Sequence, residues 1–263
     1  MYNFAYHRPK SVADAVAAFK KAADGKYIAG GHTLVPTLKQ RLAQPSDVID
    51  LSSIADLGGI KSDGKTVTIG ALTRHADVAA SADVQKAIPG LAKLAGMIGD
   101  PQVRNMGTIG GSVANSDPAA DYPAAVLALG ATIKTDQRSI NADEFFKGMF
   151  ETALKPGELI VSVSFPVPQK SSYMKFPNPA SRYAMVGVFV AKTAAGVRVA
   201  VTGAGPAAFR VKAMEDALAK DFSANALNGI SVPAKGLNAD IHGSAEYRAH
   251  LIGVMAKRAV ASA

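Results

Sequence analysis

The residues best suited to chemistry gather between positions 107 and 121. Gly107, Gly110 and Gly111 are interleaved with Thr108, Ile109 and Ser112, and Asn115, Asp117, Pro118 and Asp121 lie just beyond them. Glycines let a backbone approach a ligand closely, and successive N–H groups then form an anion-binding nest. A shorter relative lies upstream, in Ala29, Gly30, Gly31, His32, Thr33 and Leu34. In each, a Gly-Gly pair is followed within two positions by a hydroxyl-bearing residue, and a short β-like stretch precedes it. Two such loops closing on one ligand would turn many N–H donors toward a doubly charged pyrophosphate. Asp121 would then be placed to accept hydrogen bonds from ribose hydroxyls. Taken singly, a Gly-Gly pair reads better as a tight turn.

Other chemistries fit less well. The five histidines, His7, His32, His75, His242 and His250, form no His-Glu-x-x-His pattern, so they read as surface or supporting residues and no metal site is expected. The stretch from Gly110 to Ala114 is one residue away from a Gly-x-Ser-x-Gly nucleophile elbow. It lacks the core strand before it, and Pro118 interrupts the helix that an elbow needs after it. Residues 203–208 match Gly-x-Gly-x-x-Ala, but about 55 residues remain downstream, too few to complete a Rossmann sheet. Pro206 also removes an N–H where a pyrophosphate would need one. A strand-to-helix turn is the better reading there.

The chain has 263 residues, 48% hydrophobic and 19% charged, which suits a globular protein of a few small domains with a real core. It contains no cysteine, which excludes disulfides, thiolate zinc sites, cluster ligation by thiolates and a cysteine nucleophile. The net charge of +8 is spread without long basic runs or aromatic interleaving. Nucleic acid is therefore not an expected partner, whereas an acidic ligand or partner protein is. No apolar leader opens the chain and no stretch approaches the length of a membrane span, so a cytoplasmic location is expected.

These loops must be positioned by short elements. Ser11 can cap a helix to about residue 23, residues 27–29 read as a strand, residues 34–43 as a helix, and residues 47–51 as a strand. Asp63-Gly64 marks a hairpin, and Thr73 can cap a helix through residue 80. Residues 84–98 are helical with a break at Pro89-Gly90, 119–129 suit a buried helix, and 159–165 alternate as a strand. Residues 166–172 look like a linker. Three strands, a helix over residues 210–220 and a last helix over about 245–260 come after it. The fold class is α+β, without a long βαβ series.

The two loops, with Phe4-x-Tyr6-x-Arg8-Pro9, Ile69-Gly70-Ala71-Leu72-Thr73, Asn105-x-Gly107 and Asn115-x-Asp117-Pro118-Ala119-Ala120-Asp121-x-Pro123, resemble the medium flavoprotein subunits of molybdenum hydroxylases, the carbon monoxide and xanthine dehydrogenase kind. The likeness spans the whole chain. It implies a two-lobed FAD-binding domain of the vanillyl-alcohol-oxidase type (residues 1–55 and 56–168), then a small α+β domain (173–263). It implies non-covalent FAD and a cytoplasmic complex, a heterotrimer or a dimer of heterotrimers. In it a large subunit carries molybdopterin and a small subunit carries [2Fe–2S] clusters.

Carried over by position, the resemblance assigns Ala29, Gly30, Gly31, His32 and Thr33, with Thr108, Ile109, Gly110, Gly111 and Ser112, to the pyrophosphate. It assigns Asp121 to the adenosine ribose. Leu159 and Ile98 become apolar contacts, Leu159 through its backbone; Lys175 becomes a basic residue near the flavin, and Tyr183 an aromatic against the isoalloxazine. His32 shapes its loop and forms no flavin bond. Ser112 stands where many relatives carry Asn or Asp. No residue is assigned as a catalytic acid, base or nucleophile. The implied function is relay of electrons from the partner's clusters to an external acceptor. A self-contained flavin oxidase, which needs a substrate pocket and a base beside the flavin, and a nucleotide-binding module without redox chemistry are the competing readings.

Overall fold

The computed structural model describes residues 1–263. Its strands form three sheets and one small hairpin. In the first sheet, Ala5–His7 and Gly25–Ile28 flank Asp47–Asp50, both in parallel register. The helix Val12–Lys21 connects the outer strands. Ser11 Oγ accepts from the Asp14 N–H at 3.1 Å, and Asp14 at the start and Lys20 and Lys21 at the end match the helix dipole. Its Ala15 packs with Ile49, Leu51, Ile54 and Leu57, and this small core is closed by Leu159, which arrives from the next lobe.

The middle sheet is antiparallel, in the order Ile60–Ser62, Thr66–Gly70, Ile160–Pro166, Thr132–Thr135, Ser139–Asn141. The Asp63-Gly64 turn opens it, with Gly64 at φ +84° as such a hairpin requires. The helices His75–Ala80, Ala82–Ala87, Pro89–Gly96 and Tyr122–Ala128 supply much of the largest core.

The third sheet runs Lys170–Pro177, Ala184–Thr193, Gly196–Thr202, Phe209–Arg210, again antiparallel. Its strand Ala184–Thr193 is buried on both faces and so reads as an unbroken apolar run. Val186, Val188 and Val190 face the helices Lys212–Lys220 and Ala245–Ala261, while Phe189 and Ala191 join the core of the middle lobe. The two lobes thus share a hydrophobic core. No helix is long and apolar enough to cross a membrane.

Several expectations need correction. Residues 166–172 are not a linker: only 167–169 separate two strands, and Ser171 and Ser172 are buried in the second. The helix expected over 34–43 ends at Lys39, because Arg41 takes φ +58° and Leu42 N–H turns back to Thr37 O at 3.0 Å. The helix expected from 119 starts at Tyr122, since Ala120 O accepts from the Thr202 hydroxyl at 2.5 Å and Pro118 O from Gly203 N–H at 2.8 Å. Thr73 caps no helix; its hydroxyl donates to Gly59 O at 3.0 Å. Most of the second glycine loop is a helix, Ile109–Asn115, capped by Thr108.

Candidate cofactor-binding cleft

A cleft of ≈ 710 Å³ lies between the first two lobes, with Ser181 and Tyr183 of the third also in its lining. That is the size of a site for an extended organic ligand. Both glycine segments line it, together with Ile98, Asp121, Leu159 and Tyr183.

The two segments contribute unequally. In the first, none of the N–H groups of Ala29, Gly30, Gly31, His32, Thr33 and Leu34 donates to any atom of the chain. Six consecutive donors at the wall of a cleft are available to an acceptor-rich ligand, the last of them at the start of the helix Leu34–Lys39, where N–H groups have no intrahelical partner. Gly31 bends this run with φ +71°, and His32 Nδ1 lies 3.0 Å from Gly30 O, shaping the turn. In the second segment the N–H groups from Ile109 to Ser112 are already used, and only that of Thr108 is free. Ile109 N–H reaches Thr73 O at 3.1 Å, Gly110 N–H reaches Ala71 O at 2.9 Å, and Gly111 and Ser112 N–H groups reach Thr108 Oγ1 and O at 3.2 and 3.0 Å. The Ile109 side chain is buried in the core and is not part of the wall. What this segment offers the cleft is the Thr108 N–H, the Ser112 side chain and a surface kept flat by glycine.

Close approach explains those glycines. A Cβ on Gly30 would lie 2.1 Å from Met106 O, so the first segment is pressed against the backbone leading into the second. A Cβ on Gly110 would meet Ala71 O at 2.7 Å. Gly111 differs: its Cβ would meet only Thr108 Oγ1, at 3.0 Å.

Asp121 and Lys175, expected as separate contacts, form one buried unit. Lys175 Nζ donates to both Asp121 oxygens at 3.0 and 3.2 Å and to Met97 O at 2.9 Å, and Tyr173 Oη donates to Asp121 Oδ1 at 2.5 Å. Asp121 still lines the cleft, but Lys175 does not, because its ammonium is turned inward to the carboxylate. Burial pushes the Asp121 carboxyl up from its ordinary value, against the pull of Lys175 and of the Tyr173 hydroxyl. Burial and the Asp121 charge push the Tyr173 hydroxyl up as well.

Leu159 presents only its side chain, since its N–H is committed to Asp136 Oδ1 at 2.8 Å. Beside it, Arg138 holds Glu158 through contacts of 2.9 and 3.0 Å and lowers the Glu158 carboxyl to about 2. Tyr183 is carried into the cleft by a closed turn. Asn178 N–H donates to Tyr183 O at 2.9 Å, and Asn178 Nδ2 donates to its hydroxyl at 3.2 Å.

Sequence reasoning missed His75. It opens the helix His75–Ala80, is only 5% exposed, and lines the cleft. Nothing in its local pattern separates it from the other histidines. No group of three or more metal-ligating side chains is gathered anywhere in the chain. Residues 203–208 form a turn, whose Gly203 (φ +83°) passes so close to Ala184 O that a Cβ would lie 2.3 Å from it.

Residues 2–168 match the family model described as the FAD binding domain in molybdopterin dehydrogenase. The chain is 37% identical to the carbon monoxide dehydrogenase medium chain of Hydrogenophaga pseudoflava, over 99% of this chain and 96% of that one. It is 33% identical to the glyceraldehyde dehydrogenase medium chain of Sulfolobus acidocaldarius, over 97% and 96%. Among solved structures, reconstituted CO dehydrogenase from Oligotropha carboxidovorans superimposes with a TM-score of 0.90 at 34% identity, covering 98% of this chain and 96% of that one. A cleft with a row of free backbone donors and a match over nearly the full length lead to one conclusion: the chain belongs to the family of FAD-binding medium subunits of molybdenum hydroxylases.

Proposed function

We propose that this chain is the electron-transfer flavoprotein of a heteromeric molybdenum hydroxylase. It would relay electrons from [2Fe–2S] clusters on a small partner subunit, supplied by a molybdopterin-bearing large subunit, to an external acceptor. The observation that carries this reading is the run of six unpaired N–H groups from Ala29 to Leu34 on the cleft wall. An FAD diphosphate is an acceptor-only group that fits such a row. The absence of cysteine from the chain supports placing the clusters on a partner.

When bound, FAD supplies the redox chemistry; the protein binds, orients and tunes it. The residues 29–33 would hold the diphosphate from one side, with Thr108, Gly110, Gly111 and Ser112 against the other. Asp121 would offer its remaining acceptor capacity to the adenosine ribose, while the buried Lys175 fixes the direction of that carboxylate. Ile98, Leu159 and Tyr183 would flank the ring systems and exclude water from them. The relatives' names cover carbon monoxide and glyceraldehyde as substrates, so substrate choice belongs to another subunit in this reading.

The test is purification of the native protein. Co-purification with two further chains, molybdenum, iron and one FAD per copy of this chain is the expected result. Oxidation of an organic substrate by the isolated chain would refute the relay role in favour of a self-contained oxidase.

A further inference from the structure

His75 carries an unusual combination of features. Its Nδ1 is fully buried and has no hydrogen-bond partner. Its Nε2 also makes no bond within the chain, yet it is not sealed off, and the residue borders the cleft. The backbone holds the ring in place: His75 N–H donates to Gly107 O at 3.0 Å, and a Cβ on Gly107 would lie 2.6 Å from Nε2. Gly107 is also where the first segment arrives, since a Cβ on Gly30 would lie 2.8 Å from Gly107 Cα. Nε2 therefore emerges where the two glycine segments meet.

An apolar residue would fill this position without leaving an unpaired buried nitrogen, which is costly in a folded protein. The ring packs on Tyr122, with centroids 5.3 Å apart, and the open nitrogen is the one that a ligand in the cleft can reach. Burial, with a smaller contribution from His32, lowers the His75 pKa to about 4, so the ring is neutral at physiological pH. A neutral imidazole has one N–H donor, and an acceptor-only ligand selects the tautomer that carries the proton on the nitrogen facing it.

We infer that His75 donates a hydrogen bond through Nε2–H to the diphosphate of bound FAD, as the side-chain donor that completes the backbone cradle of residues 29–34. This rests on the FAD reading of the cleft. It adds a side-chain donor to the second glycine segment, whose N–H groups from Ile109 to Ser112 are internally satisfied and which positions that donor through Gly107.

The test compares wild type with His75→Leu in the full chain, freed of flavin and titrated with FAD by fluorescence quenching. The expected result is a Kd for FAD raised about tenfold or more, with the flavin-free variant melting no lower than wild type because a buried unpaired nitrogen has been removed. An unchanged Kd overturns the inference. A second measurement needs no variant. In chain labelled with ¹⁵N-histidine, FAD should bring the His75 Nε2 resonance to the protonated, hydrogen-bonded position, and an unmoved resonance overturns the inference. Failure of the wild-type chain to bind FAD would instead overturn the reading of the cleft, and the inference with it.

Discussion

Replacing Lys175 by Met probes the polar unit that ties the third lobe to the cleft. The ammonium is 1% exposed and the Asp121 side chain 6% exposed, so neither partner can be rescued by solvent. Met fills similar volume but leaves the carboxylate with Tyr173 alone. Breaking a buried pair from one side costs about 3–5 kcal/mol. The cost has a ceiling, because the carboxyl can take a proton. From its ordinary value of 3.8, protonation at pH 7 costs about 4 kcal/mol at ~1.36 kcal/mol per pH unit. The expected loss is therefore about 3–4 kcal/mol. The same ceiling sets the pH dependence. In the variant the folded-state pKa of Asp121 lies far above its unfolded value, so the penalty is full at high pH and is relieved as pH falls toward that unfolded value. Between pH 7 and pH 5 the gap between wild type and variant should narrow, by at most about 3 kcal/mol, because the wild-type carboxyl is itself raised by burial. Guanidinium denaturation of the flavin-free proteins at both pH values measures this. Adding Asp121→Asn to Lys175→Met should recover part of the loss. A loss below about 1 kcal/mol, or one that does not change with pH, would refute the account of a buried, mutually dependent pair.

The glycines of the cleft should separate into two kinds. Gly111→Val presses only on Thr108 Oγ1, the cap of its helix, so the purified protein should lack the flavin absorbance while losing no more stability than a cap supplies, about 1 kcal/mol. Gly30→Ala drives a Cβ into Met106 O, so it should lower the melting temperature as well as remove flavin; a Gly30→Ala protein with wild-type stability would contradict the close approach of the two segments. Glu158→Gln tests the Arg138 pair. The Glu158 carboxyl is depressed from 4.5 to about 2, so its contribution is complete above about 4.5 and disappears as pH falls through about 2. The variant should be less stable at pH 7 by at most ~3 kcal/mol, discounted because Arg138 is 39% exposed, and should converge with wild type in acid denaturation near pH 2.

Local chemistry made much of this protein legible from its sequence. Ser11 caps its helix because a hydroxyl at that position meets an unpaired N–H whatever the tertiary context. Asp63-Gly64 forms its hairpin because glycine is free to take positive φ. The two glycine segments pointed to one ligand because their backbones can come close to it. What tertiary structure alone decided are properties that depend on distant partners. Ser171 and Ser172 look like linker residues but are buried, because the strand they belong to packs onto the Pro89–Gly96 helix and the shared core. The second glycine segment looks like an open nest but is a helix whose first donors go to Ala71, Thr73 and Thr108. Lys175 looks like a cleft cation but is turned inward, 54 positions away in sequence from the Asp121 it neutralises. His75 looks like any other histidine until Gly107 brings its Nε2 to the junction of the two segments. Propensity and turn chemistry act over a few residues and can be read along the chain; which donor is spent, which charge is buried and which face is covered are set by contacts between residues far apart in it.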